Sequence, residues 1–123
     1  MRKLPLIMAI AGVFALFYSC KHEPVLPENE VSFTTDIYPI ISSSCWHSGC
    51  HNDTVQPQGR ILMDYDQIVN DDYIVPFKPH SSKIYKCVTG SGEKFMPDGD
   101  YPPLNSRQIR LLYIWIAQGA KNN

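Results

Sequence analysis

The sequence carries no surplus of charge of either sign. Eleven Lys and Arg face twelve Asp and Glu, for a net charge of −1 and a pI near 6.4. General nucleic-acid binding needs a basic stripe, so that class is excluded. A polybasic membrane patch and an acidic tail are absent as well. There is no internal repeat and no convincing pair of strands, which points away from repeat and sheet architectures and toward an all-α fold. The one long apolar run, Leu4 to Tyr18, is too short to span a bilayer comfortably.

That apolar run starts behind Arg2 and Lys3 and ends at Ser19-Cys20. A positive start, an apolar middle and a small residue at the cut point mark an export signal, here residues 1–19. A small residue before a cysteine resembles a bacterial lipoprotein signal, in which Cys20 becomes the first mature residue and carries lipid. Phe17 and Tyr18 are bulkier than that pattern prefers. The other readings are a plain signal peptide, or an uncleaved anchor with an incidental cysteine. In each case the domain leaves the cytoplasm, and its cysteines meet an oxidising compartment. Residues 20–32 are rich in proline and glutamate and read as a solvated tether. Residues 33–123 then form one small domain of about 90 residues.

Ten prolines are many for a chain of 123 residues and imply short helices separated by extended segments. Thr34, Thr35 and Asp36 form an N-cap cluster ahead of Ile37, Ile40 and Ile41 at helical spacing. Pro39 fits only near the start of that helix, where its missing N–H costs no bond. The helix should deliver Cys45 at its end. Asp64 is placed to cap a short helix through Val69, and Ser81 or Ser82 to cap another from Lys83 to about Val88. A long irregular loop follows, with Met96 inside it. The last helix is the clearest. Asn105 and Gln108 have the form of a capping box, and Ile109, Leu112, Tyr113 and Ile116 share one face with Trp115 beside it. Gly119 is placed as its C-cap, with Lys121 suited to the negative end of the helix dipole.

The segment CWHSGCH, Cys45 to His51, concentrates the chemistry. Two thiols with a histidine directly behind the second suit covalent haem attachment, each thiol adding to one vinyl group and the imidazole binding iron. The usual form has two residues between the cysteines, and here there are four. Ser48-Gly49 supplies flexible backbone for the extra length. A low-spin carrier wants a second axial ligand, commonly a methionine sulfur. Met96, beside Pro97, is placed for that task; Met63 and His80 are its rivals. Met63 reads rather as pocket wall beside Ile61 and Leu62, and His47 as a solvent-facing residue within the bulge. Zinc is the second reading, with Cys45, Cys50 and His51 as three ligands and Cys87, His80 or His47 as a fourth. No second close-spaced pair supports it. A Cys45–Cys50 disulfide is the third, and leaves His51 idle. Cys87, among Ile84, Tyr85 and Val88, reads as a buried thiol packed as a small hydrophobe.

The order FTTDIYPIISSSC, CH, GRILMDYD, HSSKIYKCVTG, KFMP and LNSRQIRLLYIWIAQGA resembles the small c-type cytochrome domains of Bacteroidetes and Planctomycetes lipoproteins and exported proteins. The resemblance runs from Phe33 to Ala120, and some members of that family carry the widened cysteine gap. It implies a cytochrome c-like domain, all-α and loop-rich, with first and last helices crossing so that Ile37, Ile40 and Ile41 meet Ile109, Leu112, Tyr113 and Ile116. Cys45 and Cys50 would be the thioether points of one covalent haem c, His51 the proximal iron ligand and Met96 the distal one. Pro57 would orient the His51 ring through its carbonyl, and Arg60 would pair with a haem propionate, with a solvated loop arginine as the plain alternative.

The expected function is one-electron transfer to or from a partner protein, as a carrier and not an enzyme. The domain would sit outside the cytoplasm, held by lipid on Cys20 to a bacterial membrane at its periplasmic or outer face. Two rivals belong to other classes. One is a haem protein with an open iron position, a sensor or peroxidase-like. The other is a haem-free binding or structural lipoprotein with a Cys45–Cys50 disulfide. Nothing in the sequence indicates an oligomeric state.

Overall fold

The computed structural model describes residues 25–47, 50–51, 61–70, 73–92 and 94–123. The signal segment, Cys20, Pro57 and Arg60 lie outside the described residues. The described residues contain helices and no strand. This bears out the all-α expectation.

The first helical run starts earlier than the cap cluster Thr34-Thr35-Asp36 suggests. A π-helical turn spans Phe33–Ile37 and passes directly into α1, Tyr38–Cys45. Ser32 is the N-cap, its hydroxyl accepting from the Thr35 N–H at 3.3 Å. Asp36 answers by accepting from the Ser32 N–H at 2.9 Å. This is a capping box stretched from three residues to four, as the wider π turn requires. The wide turn ends at Ile37, and Pro39, which has no N–H to donate, follows near the start of α1.

The other helices follow local rules. Asp64 accepts from the Gln67 N–H at 2.9 Å and opens α2, Tyr65–Val69. A 3₁₀ turn, Pro79–Ser81, leads to α3, Lys83–Thr89. Ser82 occupies the N-cap position of α3, but its hydroxyl does not cap the helix. It accepts from the Val75 N–H at 2.9 Å and donates to the Lys78 carbonyl at 3.1 Å, so this fully buried group ties down the preceding loop. In α4, Ser106–Ala117, both halves of the Asn105–Gln108 capping box form, at 2.9 and 3.0 Å. Gly119 ends that region with φ +103°, where L side chains are strained, and Ala120 donates to the Trp115 carbonyl at 2.9 Å. The Lys121 ammonium pairs with Glu30 and not with the end of α4.

The core gathers around α4. Trp115, Leu112 and Ile116 are buried together with Ile37, Ile68 and Val88. Each such side chain contributes roughly 1.5–3 kcal/mol on burial. The Phe33 ring joins three helical regions, 5.7 Å from Trp115, 5.1 Å from Tyr65 and 5.9 Å from Tyr38. Between the first and last helical regions, packing concentrates on the Phe33–Ile37 turn, and α4 also rests on α3. The chain ends are laced across this contact. Asn123 accepts from the Phe33 N–H through Oδ1 at 2.8 Å and from the Thr34 N–H through its backbone oxygen at 2.9 Å. Gln118 accepts from the Val31 N–H at 2.9 Å. The tether assigned to residues 20–32 therefore ends in a packed portion, with Val31 buried.

Candidate functional site

Cys45 is the last residue of α1, and the chain turns back beneath it. Cys50 donates its N–H to the His47 carbonyl at 2.9 Å, and His51 donates to the Cys45 carbonyl at 3.1 Å. The loop is thereby closed onto the end of the helix, and the two thiols and the imidazole belong to one turn. Its far side is held by Leu62. The Leu62 N–H donates to the His51 carbonyl at 3.4 Å, and the Trp46 indole N–H donates to the Leu62 carbonyl. The Trp46 ring also stands edge-on to Tyr38 at 5.4 Å.

Met96 comes from another part of the chain. Helix α3 stops at Gly90, whose φ of +70° turns the backbone out of the helix. Ser91 and Gly92 donate to the Lys86 carbonyl, and Met96 donates to the Cys87 carbonyl at 3.1 Å. The methionine is thus anchored by its backbone to the last turn of α3. Lys94 and Asp98, both largely exposed, pair at 3.2 Å. The lysine ammonium and the Gly99 N–H hold the Asp98 carboxyl below its ordinary range.

Between these two loops lies a cavity of about 420 Å³. Cys45, Cys50 and His51 line it from one side of the sequence, and Met96, Pro97 and Tyr101 from the other. Val88 and Leu104, both buried, supply apolar wall. The volume falls in the range of small-molecule and cofactor sites, which are mostly apolar with a few placed polar groups. Two thiols, an imidazole and a thioether facing one apolar cavity are a donor set that fits covalent haem. All three described cysteines are free thiols. Burial, with a smaller contribution from neighbouring Cys50, pushes the Cys45 thiol up to about 12, and burial raises Cys87 as well. Cys45 is therefore held as the neutral thiol at ordinary pH.

The rival ligands lie elsewhere. His80 is exposed and stands edge-on to Tyr85 at 5.4 Å and Tyr113 at 5.6 Å, away from the cavity lining. Met63 is not among the lining residues of this cavity, and its N–H donates to the Gln67 side chain at 3.0 Å. His47 is only partly turned to solvent. It is half-buried and stacks on Tyr101, with ring centroids 4.0 Å apart and planes 10° from parallel. Cys87 is half-buried and not fully buried. Among the described residues no group of three or more His, Cys, Asp or Glu side chains has the geometry to hold a metal ion by itself.

Comparison with protein-family models, with curated proteins and with solved structures finds no match to this chain. The cavity also includes residues that sequence reasoning passed over. Lys94, Asp98 and Tyr101 were hidden in an irregular loop, where no periodicity tells inward from outward. Their closeness to Met96 is the signal that was there to be used.

Proposed function

We propose that this chain is an exported monohaem c-type cytochrome that transfers single electrons. The observation that carries the reading is the convergence of Cys45, Cys50, His51 and Met96 on one cavity, from loops 45 residues apart in the chain. When bound, a haem supplies an iron that accepts or releases one electron. Cys45 and Cys50 would bond covalently to the haem, and His51 and Met96 would hold its iron. Val88 and Leu104, both buried, give the cavity apolar wall, and a low-dielectric wall of this kind would tune the potential of the iron. With His51 and Met96 both holding the iron, no position would be left for a substrate, and the protein would act as a carrier that needs a redox partner. A cytochrome c-like arrangement of first and last helices accords with α4 resting on the Phe33–Ile37 turn. A lipid on Cys20 would tether the domain at the membrane surface, and residues 21–28 would give it reach.

The reading also answers a physical need. A domain of about 90 residues has a marginal core, and a covalent prosthetic group is a staple for it. The test is a reduced-minus-oxidised visible spectrum of the exported protein, with haem staining on a denaturing gel. Sharp low-spin bands, and haem that stays with the denatured chain, are the expected result. A colourless protein from a host that matures other c-type haems would sink the reading.

A further inference from the structure

The lengthened gap between the cysteines holds four residues where two are usual. Two of the four reach partners outside their own turn. Trp46 is bonded to Leu62, and His47 lies flat against Tyr101 at 4.0 Å. Tyr101 follows Met96 by five residues and lines the same cavity. The stack therefore joins the loop that bears Cys50 and His51 to the loop that bears Met96. The backbone bonds at each loop do something different: His51 is tied to α1 through Cys45, and Met96 to α3 through Cys87.

We infer that His47 and Tyr101 are positioning residues, whose stack holds the two ligand-bearing loops together and sets how firmly Met96 stays on the iron. This rests on the haem reading above. The physical link is simple. Met96 leaves an iron ligated by His51 only if its loop swings away from the Cys50-His51 loop, and that motion must open the stack. An offset aromatic pair adds a modest but directional attraction. Lost, it should raise the population of the open loop roughly threefold to tenfold.

The experiment uses the full exported chain with haem attached. Ferric protein is mixed with imidazole, which binds iron only when the methionine has left, and the rate is followed with the methionine–iron charge-transfer band. His47→Ala and Tyr101→Ala should each speed imidazole binding by that factor, and their double variant by little more. His47→Phe and Tyr101→Phe keep a ring in place and should restore the parent rate. Alanine variants that bind imidazole at the parent rate overturn the proposal. So does a gain that phenylalanine fails to reverse, since the imidazole or phenol group would then be acting by itself.

If the parent chain carries no haem, the functional reading fails and the loop contact is read separately. Hydrogen exchange is followed in the haem-free chain. Tyr101→Ala should speed exchange at the His51 amide, in the other loop, and leave the Gln108 amide in α4 unchanged. Unchanged exchange at His51 would overturn the contact's role in that case too.

Discussion

The two ends of the domain are built differently. At one end, Phe33, Tyr65 and Trp115 pack ring against ring, and Asn123, Gln118 and Lys121 lace the chain ends together. At the other end, two loops face each other across a cavity, each pinned to its own helix by a few backbone bonds. The first end satisfies itself with side chains. The second gathers sulfur and nitrogen groups around a cavity.

Trp115→Ala should break the laced end hardest. Its indole is fully buried and donates to the Lys121 carbonyl at 3.0 Å, so the loss should be about 3–5 kcal/mol of stability. Denaturant unfolding of the haem-free chain would read it, and a loss under 1 kcal/mol would contradict the packing described.

A pH series probes the open end. Cys45 has its pKa raised, so the folded chain keeps a proton there that the unfolded chain releases. Above the ordinary thiol value the unfolded state binds fewer protons, so stability falls as pH rises. The window runs from about 9 to about 12, with a slope of at most about 1.4 kcal/mol per pH unit. Comparing haem-free parent with Cys45→Ala isolates this contribution, and equal slopes would refute it. The same neutral thiol should be alkylated slowly at pH 8, as counted by mass spectrometry.

Gly119→Ala should cost about 1–2 kcal/mol, because alanine at φ +103° is strained and its Cβ would fall 2.8 Å from the Phe77 ring. Asn105→Ala removes a formed cap and should cost about 1 kcal/mol, read from the thermal midpoint. Met96→Ala should scarcely move the haem-free chain, by less than about 1 kcal/mol, since its anchoring bond is made by the backbone. With haem attached, the same change should abolish the methionine–iron band. A large loss in the haem-free chain would place Met96 in the core and erase the contrast between the two ends.

Short-range devices were legible in the sequence. Asp64 capping α2, the Asn105–Gln108 box and the turn at Gly119 all depend on residues within a few positions of one another. Misreadings came where a distant partner took over. The first helical run begins at Ser32 partly because Asn123 holds it there, across 90 residues or so. Ser82 spends its hydroxyl on the Val75–Lys78 loop, and Lys121 is drawn to Glu30. His47 looked solvated because no local rule announces Tyr101.

The candidate site divides along the same line. The spacing of Cys45, Cys50 and His51, and the place of Met96 ahead of a capped amphipathic helix, were written in the chain. Bond chemistry and helical period are local properties, so the order of residues alone carries them. Which methionine and which histidines face the cavity, and which aromatic ring closes on His47, came only with packing. Those outcomes depend on how α3 and the two loops are held about α4, a balance of many weak contacts between residues far apart in the chain.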